Sequence, residues 1–364
     1  MQLYHENWER TALAEYFFGK WKRFFTAAAF LIIVILTGFF IGHNIEPSTG
    51  LSRRKGSLER YLSPETGIFL SLQRSGTDAW GFLEWPEKGL YGFFNGSGEG
   101  REIRAFIGSA GASPLMILSP ASALGWLELR FSGGKDLGGS FRLIRQKKLP
   151  WGLETFSGRL DADESSFHAA IIRGVAEHEA ALLNLALRRG MTQLEYVRRQ
   201  WEAFRERRIA LTQASRWPIE FMERQGIISA TSSVYSIAVE RYVFDGGAHG
   251  NTSLVVTMVD VGSGRILTAE DIFIAGWEEK VAPLLEAEAL RLLAGTGRRE
   301  ELKQVSSLRE YGFFEDHIEP SSNIFLCESG VGFHYDRYQL APYSEGDYTF
   351  VIAWKDLEGI LRSW

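Results

Sequence analysis

The rhythm of hydrophobic and polar positions changes several times along this 364-residue chain. Leu13, Phe17 and Trp21 recur at helical spacing, which predicts an amphipathic stretch within a short cytoplasmic tail, residues 1–23. Phe24–Ile41, "FFTAAAFLIIVILTGFFI", then runs 18 residues without a charge. As a helix it spans ~27 Å at ~1.5 Å per residue, close to the ~30 Å hydrocarbon core of a bilayer. The pattern predicts a transmembrane helix over residues 24–42. Its apolar run exceeds the ~7–15-residue core of a cleaved signal peptide, which favours a retained anchor. Lys20, Lys22 and Arg23 flank the span more closely than Arg53, Arg54 and Lys55 do. The N-terminus is therefore expected inside a cytoplasmic (inner) membrane, with the bulk of the chain extracytoplasmic.

Residues 43–58, "HNIEPSTGLSRRKGSL", mix Pro, Gly, Ser and charge without periodicity and read as a linker. Over residues 59–148 short β-like runs such as "GIFLSLQRSG", "EIRAFIGSAG" and "GWLELRFSGG" alternate with Gly, Pro and Ser turns. They predict a small all-β domain, barrel-like or sheet-like. Residues 149–164 read as a second linker.

From residue 165 to 364 helical and strand patterns mix. "SFHAAIIRGVAEHEAALLNLALRRG" predicts a helix, on which His168 and His178, ten residues apart, fall on different faces. "TQLEYVRRQWEAFRERRIAL" predicts another, with Thr192 and Glu195 as a capping box. Strands follow, including a hairpin at "VDVGSGRIL". A helix is expected over "GWEEKVAPLLEAEALRLLAG", then strands at "NIFLCESGVGFHYDRYQLAP" and "GDYTFVIAW", and a last helix from Lys355. The fold class is α+β, an antiparallel sheet with packed helices after the β-rich domain and the single span.

Composition narrows the chemistry. The net charge of −5 gives no basic field for nucleic acid. One cysteine, Cys327, excludes an internal disulfide and a cysteine-cluster metal site. No cofactor or metal is expected, and no nucleophile motif of the G-x-S-x-G type occurs. The feature that stands out is "YVFDGGAHGNT", residues 242–252. Gly246 and Gly247 suit a bulge or tight turn, Gly250 a close backbone approach, and His249 a hydrogen bond to a loop carbonyl or carboxylate. His334, Asp336 and Tyr338 would share one face of a strand.

"YVFDGGAHGNT", "VDVGSGRILTAEDIF", "GVGFHYDRYQLAPYSEG" and "FVIAWKDL" together resemble the C-terminal extracytoplasmic domain of the lysozyme-binding anti-sigma-V factors. The same domain type precedes the catalytic part of some peptidoglycan deacetylases. The resemblance covers roughly Phe167 to Trp364. It implies a single-span protein whose outward α+β domain binds a protein ligand. The short cytoplasmic tail and the extra β-rich region depart from those regulators. Candidate binding residues are Gly246, Gly247, His249, Gly250, Tyr338, Tyr343 and Glu345. The expected role is that of a non-enzymatic envelope sensor or binding protein, its partner an envelope protein or peptidoglycan. Two alternatives stay open. A peptidoglycan-directed hydrolase would require His249 to converge with His334 or with carboxylates. An anti-sigma-like regulator would act through the cytoplasmic tail.

Overall fold

The computed structural model describes residues 51–98, 102–107, 115–121, 125–132, 137–149, 151–160, 163–172, 175–211, 218–231, 233–295 and 307–362. The predicted tail and membrane span, residues 1–42, lie outside them. Among the described residues no helix is long and apolar enough to cross a membrane. Leu51–Trp364 forms one compact unit.

Eight antiparallel strands follow one another: β1 (Leu51–Leu62), β2 (Phe69–Ser75), β3 (Asp78–Trp85), β4 (Leu90–Ser97), β5 (Ile103–Ile107), β6 (Leu115–Ala121), β7 (Trp126–Ser132) and β8 (Ser140–Arg145). Each pairs with the next, and β8 returns to β1 through Tyr61↔Arg145 and Leu62↔Ile144. The sheet is therefore a closed barrel, which removes exposed edges. Its interior is filled by side chains such as Leu70, Leu83, Ile107, Met116, Leu129 and Leu143. On β5 the burial alternates strictly, as a strand with one wet face must. On β2 and β3 nearly every residue is buried, because the outer face of these strands carries the rest of the molecule.

The predicted first linker is corrected: residues 51–58 belong to β1. The first half of β1 leaves the barrel and pairs with β9 (Trp151–Leu160), from Leu51↔Gly158 to Gly56↔Leu153. Its charged residues hid a strand that is held by backbone pairing and by Arg53 on the buried carboxylate of Glu154. The second linker is corrected likewise, since residues 151–160 form β9.

β10 (Asp163–Ile172) is a strand where the pattern predicts the start of a helix. It runs between β9 and β11 (Glu220–Ala230), and Phe167, His168, Ala169 and Ala170 are all buried. A strand covered on both faces loses its alternation, and its alanines then resemble a helix. The helix proper, α1 (Glu177–Arg188), begins later. α2 (Gln193–Leu211) starts at the predicted box, with Thr192 N–H donating to Glu195 at 2.9 Å. The two helices form the crossover that the parallel β10–β11 pair requires. α2 buries Tyr196, Val197, Trp201 and Phe204.

β12 (Val234–Phe244), β13 (Asn251–Asp260) and β14 (Arg265–Leu267) complete a seven-stranded sheet that ends on β1. A short α3 (Ala269–Ile272) and α4 (Trp277–Gly295) follow. They pack on a three-stranded sheet of β15 (Ile324–Leu326), β16 (Gly330–Tyr335) and β17 (Tyr348–Ala353). The predicted last helix is only a 3₁₀ turn, Trp354–Leu357. The molecule is mostly β, with few helices, and α+β overall.

One buried carboxylate joins barrel to C-terminal sheet. Glu84 on β3 is 0% exposed. It accepts hydrogen bonds from Glu328 N–H at 3.2 Å, Ser329 N–H at 2.9 Å and the Ser329 hydroxyl at 2.8 Å, in the β15–β16 turn. Burial pushes its carboxyl up to about 7, although the Ser329 donors pull the other way. Its pKa in the unfolded chain is about 4.3. Between these values the folded chain holds a proton that the unfolded chain has released. This contribution to stability is full below the lower value and is lost as pH rises through the upper one. Glu84→Gln keeps an acceptor and removes the titration. Wild type should lose about 2 kcal/mol more stability than this variant between about pH 5 and about pH 8. Denaturation midpoints of both proteins at the two pH values check this; parallel pH profiles refute it.

Candidate functional site

The β12–β13 pairing ends at Val243↔Asn251, and the residues between, 245–250, form the glycine-rich connection. Gly246 has φ 81°, the left-handed region that favours glycine. Gly250 is buried, and a Cβ there would lie 2.2–2.4 Å from the Tyr242 ring. Only glycine fits. Gly247 faces open space, with its nearest neighbour 4.0 Å away, and its φ is ordinary. Arg207 of α2 holds Asp245 at the loop entrance.

His249 is exposed and lies flat on Tyr343, with ring centroids 3.6 Å apart and planes 20° apart. Its Nδ1–H donates to the Gly250 carbonyl at 3.1 Å, since a carbonyl can only accept. The Tyr343 hydroxyl donates to the same oxygen at 2.6 Å. The loop and the 337–346 segment are thus tied by the Tyr343 hydroxyl and by a ring stack, and His249 is held to the same carbonyl from within the loop. The Arg337 guanidinium lies 4.5 Å from the Tyr343 centroid, within cation–π reach. Tyr338 packs on Tyr343 at 5.6 Å between centroids. It is 55% exposed and has φ 69°, a conformation costly for an aromatic L-residue. Tyr343 opens a 3₁₀ turn, Tyr343–Glu345, closed by Gly346 at φ 86°.

The structure brings His249, Gly250, Tyr338 and Tyr343 into one platform, and Gly246 turns the loop that carries His249. Gly247 sits beside it in the loop, and Glu345 lies on the Tyr343 turn. Arg337 was missed by the sequence reading. Its only signal was a basic residue next to Tyr338 in "YDRYQLAPY".

His334 goes elsewhere. It is buried in β16, with Nε2 3.2 Å from Asp336 Oδ1 and Nδ1 3.0 Å from the Thr349 hydroxyl. Asp336 Oδ1 also accepts the Leu254 N–H at 2.9 Å. Asn323 takes the Val256 N–H at 2.8 Å and donates to the Leu254 carbonyl at 2.6 Å. Two side chains therefore close the part of the β13 edge that β14 leaves open. The predicted common face of His334, Asp336 and Tyr338 is corrected, because β16 ends at Tyr335 and Tyr338 turns left-handed. Among the described residues no group of three His, Cys, Asp or Glu side chains could hold a metal. His249 and His334 make their hydrogen bonds with different groups, His249 with the Gly250 carbonyl and His334 with Thr349 and Asp336. His168 is buried in β10, and burial, then the charge of Arg224, brings its imidazole down to about 3.

Comparison with known proteins places a DUF3298 domain, from a family described as protein of unknown function, at residues 270–355. That segment includes Arg337, Tyr338 and Tyr343 but not the His249 loop. A member of this family from Bacteroides fragilis NCTC 9343 is 20% identical, with a TM-score of 0.48 over 55% of this chain and 85% of its own. A DUF3298 family protein from Pseudomonas aeruginosa PAO1 is 16% identical, with a TM-score of 0.45 over 59% of this chain and 95% of its own. No curated protein matches the chain.

The two loop glycines should separate in experiment. Gly250→Ala drives a methyl group into Tyr242 and is expected to cost about 1–3 kcal/mol, as overpacking does. Gly247→Ala is expected to stay within about 0.5 kcal/mol, as free surface changes do. Chemical denaturation of both variants measures the difference; equal losses would contradict the assigned contact.

Proposed function

We propose that this protein is a non-enzymatic binding protein of the bacterial cell envelope, anchored by residues 24–42. In this reading Leu51–Trp364 faces outward and recognises a protein ligand through the Tyr338–Tyr343–His249–Arg337 platform. The observation that carries the proposal is Tyr338. A large aromatic residue held at positive φ in the turn closed by Gln339 N–H on the Asp336 carbonyl, and left exposed, stores backbone strain. Strain of this kind clusters where side chains are aimed at ligands. Tyr and Arg are also the residues most enriched at energetic centres of interfaces. The charge-free 18-residue run supports the anchor. The likeness of the "GGAHG" and "QLAPYSEG" segments to the lysozyme-binding anti-sigma-V domain supports a protein ligand over a glycan.

Lysozyme-type proteins and purified peptidoglycan are the probes, with the full-length chain in detergent. Tyr343→Ala should weaken lysozyme binding by about 30-fold, the scale of an interface hot spot. Tyr338→Gly should weaken it by about tenfold while the melting temperature holds or rises, because glycine relieves the strained φ. Unchanged binding in both variants would sink the platform. Binding to peptidoglycan alone would replace the protein ligand with a glycan.

A further inference from the structure

A cleft separate from the exposed rings lies where β3 and β4 of the barrel meet β11, β12 and β13 and the end of β16. Its cavity volume is about 90 Å³, below the ~300–1,000 Å³ of drug-sized ligand sites and so suited only to a small molecule. Phe82 and Phe93 form an apolar wall, with ring centroids 4.9 Å apart. Trp80 and Arg224 supply donors. Trp80 is 5% exposed, and its indole Nε1–H has no acceptor among the described residues. A Cβ at Gly226, another lining residue, would lie 3.4 Å from that nitrogen and 2.6 Å from Gln73 Oε1, so the indole nitrogen lies beside two residues of the lining.

The Arg224 side chain is 11% exposed, and its guanidinium carbon lies 6.0 Å from the Trp80 ring centroid. One guanidinium nitrogen donates to Glu240 at 2.9 Å, whereas the buried Nε–H meets no acceptor among the described residues. Buried donors are ordinarily satisfied. Two neighbouring unsatisfied N–H groups, one of them charged, ask for an acceptor, and an anionic one by preference. Of the three lining acids, Glu240, Asp336 and Asp347, none accepts from Trp80 Nε1–H or Arg224 Nε–H among the described residues. Glu240 holds the other end of Arg224, and Asp336 is engaged by Leu254 N–H and His334. The charge of Arg224 is felt as far as His168, whose protonation it opposes.

We propose that this cleft binds a small carboxylate with a flat apolar body. The carboxylate accepts from Trp80 Nε1–H and Arg224 Nε–H, and the body lies against Phe82 and Phe93. The site is centred on Trp80 and Arg224 and shares only Arg337 with the proposed recognition platform. Calorimetric titration of the full-length chain with benzoate, benzamide and benzylammonium tests it. Benzoate is expected to saturate one site, with benzamide at least about tenfold weaker, since charge assistance is lost. Trp80→Phe keeps the ring and removes the donor. It should weaken benzoate about tenfold with an unchanged thermal melt. The proposal fails if benzoate does not saturate, if benzamide or benzylammonium binds as tightly, or if a folded Trp80→Phe binds benzoate as wild type does.

Discussion

The carboxylate of Glu84 is the contact on which the arrangement of this molecule depends. It sits at the outer face of a barrel strand and gathers three donors from one hairpin turn of the C-terminal sheet. A turn buried against another layer would leave its N–H groups unsatisfied, at a cost of about 1–3 kcal/mol each. One acidic side chain removes that cost and fixes where β15 and β16 lie on the barrel. Phe82 on the same strand meets Phe325 of β15, so the polar contact lies beside an apolar one. Other polar groups on the outer face of β2 and β3 act in kind. Ser71 donates to the Ile227 carbonyl of β11, and Thr155 of β9 bonds Ser75.

This junction also positions both candidate sites. β3 brings Trp80 and Phe82 to the cleft and Glu84 to the hairpin. The hairpin leads through β16 to Arg337, Tyr338 and Tyr343. The β12–β13 connection then meets Tyr343 through His249 and Gly250. Arg337 belongs to both places, since it lines the cleft and covers the Tyr343 ring. The two sites are physically continuous through that one side chain.

Much of the architecture was legible. The barrel strands β2 to β8 each follow a short apolar run bounded by turn residues, because a closed meander needs tight turns at both ends. The capping box at Thr192 and the hairpin at "VDVGSGRIL" are local devices whose geometry depends on few neighbours. The errors have a shared cause. β1 and β9 pair with each other, and β10 with β11, across long stretches of chain, and their side-chain patterns reflect those partners. Arg53, Arg54 and Lys55 look like a linker until β9 is placed beside them. His168 and its alanines look helical until both faces of β10 are covered.

The candidate site divides in the same way. The sequence by itself determined that glycine suits positions 246 and 250, that His249 lies on that connection, and that a tyrosine-rich segment follows near the C-terminus. It also determined the charge-free run that predicts an anchor. Only the tertiary structure decided that His249 meets Tyr343 and not His334. It alone decided that Asp336 guards a strand edge, and that Trp80, Arg224 and Glu240 surround one cleft. Backbone conformation at a glycine is a local property, governed by sterics within a few bonds. Which side chains face each other across three layers depends on strand register and packing, and those are set by contacts that no short stretch of sequence contains.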